Sequence, residues 1–107
     1  MEITVTNDGS FVRFGINFKS GKGNIDERAA EELKRRFREL NTASVREVIF
    51  DFRNVNHIGS AGIGKLLLFY KDLALNGGSV TIENTSETVH EVFSVLKLDS
   101  IFNITRA

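Results

Sequence analysis

The residues best suited to chemistry in this 107-residue chain lie in one run, His57-Ile58-Gly59-Ser60-Ala61-Gly62-Ile63-Gly64-Lys65. Gly59 to Lys65 follows the pattern G-x-x-x-x-G-K, whose backbone N–H groups cradle nucleotide phosphates. That pattern also demands a hydroxyl after the lysine to hold Mg²⁺, and Leu66 stands there instead. A nucleotide hydrolase further needs an acidic residue at a neighbouring strand end, and neither Asp51 nor Glu83 is followed by a water-positioning group. Arg53 to Ile58 also separate the loop from a strand expected to end at Phe52, whereas a phosphate loop follows its strand directly. Nucleotide hydrolysis is therefore the weaker reading, and Lys65 reads as a solvated helix residue.

Other chemistry is as limited. There is no cysteine, so neither a disulfide framework nor a thiolate metal site exists. His57 and His90 are far apart and lack partners at metal-ligand spacing, so no metal or other cofactor is expected. Lys and Arg total 14 against 14 Asp and Glu, and only Lys34-Arg35-Arg36 gathers cations, which argues against direct nucleic-acid binding. The start Met1-Glu2-Ile3-Thr4 lacks a signal-peptide pattern, and no apolar run approaches a membrane span. A soluble cytoplasmic domain with one core, spanning 1–107, is expected.

The elements that must position these residues follow from periodicity. Ile3-Thr4-Val5 and Val12, Phe14, Ile16, Phe18 alternate around Asp8-Gly9, which predicts an antiparallel hairpin. Ser20 to Asn24 breaks the pattern. Asp26 then caps a helix with Ala30, Leu33, Phe37 and Leu40 on its stripe, stopping near Asn41. Val48 to Phe52 is a nearly continuous apolar run, which predicts a strand covered on both faces. A second helix carries Ile63, Leu66, Leu67, Tyr70 and Leu73 and ends at Asn76-Gly77-Gly78; Leu68 and Phe69 make it apolar beyond one stripe, which predicts either cover on two sides, the favoured reading, or an exposed apolar patch where a partner docks on the helix. Ser79 to Glu83 reads as a strand, Val89, Val92, Phe93 and Leu96 as a third helix, and Phe102 to Ile104 as a short last strand. The alternation implies an α/β domain: a mixed, mostly parallel β-sheet with an N-terminal antiparallel hairpin, packed against helices.

Val48-Ile49-Phe50-Asp51-Phe52, the loop after it and Gly59-Ser60-Ala61-Gly62-Ile63-Gly64 resemble the signature of the STAS family, which includes bacterial anti-sigma factor antagonists. In that family a buried strand ends in an acidic residue, and D-S-[SA]-G-[ILV]-G opens a helix. Gly23-Asn24-Ile25-Asp26 resembles the family's G-x-[LI]-D element, and Gly77 to Ile82 resembles its glycine-led strand. Val92 to Ile104 is similar to its closing helix and tail, so the resemblance covers essentially the whole chain.

The resemblance implies a non-enzymatic partner-switching protein. Its partners would be an anti-sigma factor with serine kinase activity, which phosphorylates Ser60 and thereby releases it, and a PP2C-type phosphatase that reverses the mark. Partner contacts are expected around Asp26, His57, Gly59, Ser60, Ala61, Gly62, Ile63 and Lys65, with Asp51 shaping the Ser60 loop. Ser60 is expected at the N-cap of the second helix, where a phosphate meets unpaired N–H groups and the positive end of the helix dipole. Gly62 and Gly64 leave the first turn bare for close approach. Gly59 replaces the family's acidic residue; the alternative is therefore a STAS scaffold or transport-accessory subunit that is never phosphorylated.

Overall fold

The computed structural model describes every residue from Met1 to Ala107. Along the chain run β1 (Glu2–Asn7), β2 (Phe11–Asn17), β3 (Gly23–Ile25), α1 (Glu27–Arg38), β4 (Glu47–Asp51), β5 (Val55–Ile58), α2 (Ser60–Leu75), β6 (Ser79–Thr85), α3 (Glu87–Val95), a 3-10 turn (Leu98–Ser100) and β7 (Asn103–Arg106). Five strands form one sheet in the order β1-β2-β4-β6-β7; the β1–β2 hairpin is antiparallel and all other pairs are parallel. Asp8 closes the hairpin, its Oδ1 accepting from the N–H groups of Ser10 and Phe11. The mixed sheet with a leading hairpin is the architecture the alternation predicts.

Register sorts the side chains by face. Ile3 aligns with Ile16, and Val12 and Phe14 align with Val48 and Phe50, which align with Val80 and Ile82. These residues join Leu33 and Phe37 of α1, Leu66, Phe69 and Leu73 of α2, and Val89 and Phe93 of α3 in a single core cluster. Aromatic rings dominate it: Phe14 stacks on Phe50 at 5.1 Å, and Phe37 meets both edge-on. The opposite face of the sheet carries Arg13, Glu47, Ile49, Asp51, Thr81 and Glu83, none of them buried. There Arg13 pairs with Glu83 and with Asp51 (3.8 Å). The expectation that β4 is covered on both faces is thus corrected. Its run looked continuous because Ile49 sits on the polar face, between Arg13 and Thr81.

The helices begin and end close to where their caps predict. Asp26 accepts from the Ala29 N–H (2.9 Å) to start α1, and Ser86 accepts from the Val89 N–H (3.2 Å) to start α3. Gly77 adopts φ +80° just after α2. Of the surplus apolar residues of α2, Phe69 is covered, stacking on Phe37 of α1, while Tyr70 of the main stripe meets Phe102 edge-on. Leu68 stays 62% exposed.

Two short strands have no counterpart in the sequence reading. β3 and β5 pair in parallel as a separate ribbon, with Asn24 opposite His57 and Ile25 opposite Ile58. Three and four residues are too few to display alternation. This ribbon lays down the starts of α1 and α2.

Candidate functional site

β3 runs straight into Asp26 and β5 straight into Gly59, so their pairing sets the first turns of α1 and α2 side by side. Gly59 donates its N–H to the Ile25 carbonyl (2.9 Å), while its own carbonyl accepts from Ile63 N–H (3.1 Å). Gly59 therefore ends the ribbon and is itself the N-cap, which places Ser60 at the first helical position rather than at the cap. The expected N-cap role of Ser60 is corrected by one residue. Its side chain is exposed and makes no capping bond. Ser86 ties the start of α3 to the same place, its hydroxyl donating to the Asn56 carbonyl of β5 (3.3 Å).

Three helix N-termini thus gather around one ribbon, and they differ. Asp26 and Ser86 cap α1 and α3 with side-chain oxygens, whereas α2 has no side-chain cap and no acid in its first turn. The leading N–H groups of α2 have no i−4 carbonyl, and no side chain replaces it. A new anion on the Ser60 hydroxyl would find donors and a favourable dipole there.

The expected site residues divide. Asp26, His57, Gly59, Ser60 and Ala61 lie together at this end, with Asp26, His57 and Ser60 exposed and Gly59 and Ala61 half-buried. Gly62 and Ile63 point inward, Ile63 as its place on the stripe of α2 predicts, so neither offers open surface for the expected partner contact. A Cβ on Gly62 would stand 2.8 Å from Ile58 and 2.9 Å from Ile25, and Ile63 is only 9% exposed. Gly62 is needed for α2 to sit on the ribbon. Gly64, by contrast, faces open space. Lys65 is not a free solvated residue: it is half-buried and pairs with Glu31 of α1 at 3.5 Å.

Asp51 does not touch the Ser60 turn. One of its oxygens accepts from Arg53 N–H and from Asn84 Nδ2, both at 3.0 Å. Burial pushes this carboxyl up, but the bonds from Asn84 and Arg53 and the charges of Arg53 and Arg13 outweigh it and hold Asp51 below the ordinary carboxylate value. Its support is to the β4–β5 turn, which leads to the site. Asn84 takes φ +61° to reach it, a partner that no spacing rule would have found.

The phosphate-loop pattern meets a structural obstacle of its own. A strand, β5, does precede Gly59 directly, contrary to expectation, but α2 begins at Ser60. Ser60 to Ile63 are already helical, so no loop remains to wrap a phosphate chain, and the lysine is held by Glu31.

Comparison with known proteins agrees with this architecture. The model of the STAS domain matches residues 20–107. An anti-sigma factor antagonist from Mycobacterium paratuberculosis superposes with a TM-score of 0.79 at 18% identity, covering 99% of this chain and 86% of that one. Unphosphorylated SpoIIAA, an anti-sigma factor antagonist, gives 0.76 at 19% identity over 96% of this chain and 87% of its own. The phosphorylated form of SpoIIAA, a Bacillus cell fate determinant, gives 0.71 at 19% identity over 96% and 90%. These superpositions extend the likeness through the β1–β2 hairpin, which precedes the family match, and with four-fifths of its length matched the chain belongs to the STAS domain family.

Proposed function

We propose that this STAS domain is an anti-sigma factor antagonist, controlled by phosphorylation of Ser60 by the anti-sigma factor it binds. The observation that carries this reading is the exposed Ser60 hydroxyl at the one α-helix N-terminus left without a side-chain cap. A phosphate there adds about −1.5 to −2 charges and three acceptor oxygens beside free donors, so the domain itself accommodates it. The partner does not. Burying that hydrated group in a docked surface without a new cation costs several kcal/mol, on the order of the whole binding energy of a micromolar complex.

In this reading Asp26, His57, Ser60 and Ala61 form the docking face, the kinase is a serine-kinase anti-sigma factor, and a PP2C-type phosphatase restores the binding form. The domain acts in the cytoplasm and has no catalytic step; no helix is long and apolar enough to cross a membrane. Gly59 supports a second reading, a STAS scaffold that is not phosphorylated, because it leaves the acceptor without the acid that precedes it in the family. Steric reasons do not require glycine there, since a Cβ would lie 3.7 Å from the Ile25 carbonyl, an ordinary contact.

Intact-mass spectrometry after incubation with ATP and each serine-kinase anti-sigma factor of the same genome separates the two. One phosphate added to the protein and none to Ser60→Ala is the expected result. No added mass with a stable complex would leave an antagonist without a switch, and neither mass nor complex would favour the scaffold.

A further inference from the structure

Away from Ser60, α1 and α2 leave an open groove of about 300 Å³ between their later turns. Its floor is aromatic: Phe37 and Phe69 stack with centroids 4.1 Å apart. Leu68 rises beside them, 62% exposed. Lys34 and Arg38 of α1 and Lys65 of α2 stand around this floor, with Asp72 the single carboxylate.

The cations are not equivalent. Arg35 and Arg36 pair with Glu32 and Glu39 on their own helix, and Lys65 pairs with Glu31. Lys34 and Arg38 make no ion pair with any residue. Four residues apart, they share one helix face. Basic residues near the end of α1 complement its dipole, but that does not explain an exposed leucine and an aromatic floor facing them. The volume is at the lower bound of small-molecule pockets, roughly 300 Å³. A stable protein partner would need about 800 Å² of surface on each side.

We infer that this groove binds a small anionic amphiphile, an aliphatic carboxylate whose head lies between Lys34 and Arg38 and whose tail covers Phe37, Leu68 and Phe69. The inference is independent of whether Ser60 is phosphorylated.

Decanoate, titrated below its micelle concentration into the full chain and followed by amide NMR and calorimetry, tests it. Expected are saturable millimolar or tighter binding, with shifts centred on Phe37, Leu68 and Phe69. Decyltrimethylammonium, with the same tail and the opposite charge, should not bind. The Lys34→Gln/Arg38→Gln variant should weaken decanoate at least tenfold; it also loses favourable charge at the end of α1, so its melting temperature should fall slightly while its amide spectrum stays that of the folded chain. Leu68→Gln, at an exposed position, should weaken binding without loss of fold. Equal binding of both amphiphiles, shifts elsewhere, or no binding would each overturn the inference. So would charge-dependent binding to phosphatidylglycerol vesicles in the absence of decanoate binding, which would make a lipid headgroup the ligand.

Discussion

Two glycines two residues apart on α2, and so on opposite sides of the helix, do opposite work, and substituting each by alanine distinguishes them. At Gly62 the added methyl would press on the branched carbons of Ile58 and Ile25, both almost fully buried. Overpacking of that kind costs about 1–3 kcal/mol, offset in part by about 1 kcal/mol of better helix propensity. Gly62→Ala should therefore unfold at lower urea concentration than the parent. Gly64 meets nothing within 4 Å, so Gly64→Ala keeps only the propensity gain and should unfold at higher concentration, by up to about 1 kcal/mol. Stabilisation by both substitutions would show that α2 does not need its close seat on β5. If partner docking uses the bare surface at Gly64, that variant becomes more stable and binds its anti-sigma factor more weakly, a separation that a folding defect cannot produce.

At the scale of elements, Asp51 links the large sheet to the ribbon. It holds the turn into β5 through Arg53 and reaches Asn84 on β6. Because its folded pKa is lowered, Asp51 contributes stability that is fully present above the unfolded value of 3.8 and is lost as pH falls through the lower folded value. Asp51→Asn should then be less stable than the parent at neutral pH, on the order of 1 kcal/mol. The gap should begin to close as pH falls below 3.8 and narrow further as pH falls through the lower folded value, in urea titrations at a series of pH values. A gap that stays constant would assign the loss to packing instead. The same turn shows what was legible beforehand. Asp26 was found as a cap because an Asp before a helical stripe has a local signature, and it caps Ala29 as expected. Ser60 was displaced by one position because its register depends on β3 and β5, whose bonds connect residues more than thirty apart and whose few residues show no period. Gly62 is expected at a bare surface for the same reason, since a glycine adds nothing to an apolar stripe and only the ribbon shows that its face is covered; Ile63 lies on the stripe and is buried as that predicts. Ile49 misled in a different way, since an apolar side chain on the open face of a sheet looks the same in sequence as one in a core.

For the molecule as a whole, placing all three helices on one face and starting them around one ribbon concentrates their positive dipole ends at a single pole. Negative charge arriving at that pole is stabilised by the fold, and a charge-sensitive partner surface located there can be switched without disturbing the core. Ser60→Asp tests this separation. Its carboxylate stands at the first helical position, where interaction with the dipole contributes about 0.3–1 kcal/mol, so the urea midpoint should stay the same or rise. Binding to the serine-kinase anti-sigma factor proposed as its partner, measured by calorimetry, should fall by at least tenfold, because the same charge must now be desolvated against that partner. Ser60→Ala should keep both stability and binding, as the hydroxyl makes no capping bond. Loss of binding together with a lowered midpoint would mean that the pole is not built to accept an anion. Full binding by Ser60→Asp would remove Ser60 from the docking face, and with it the proposed switch.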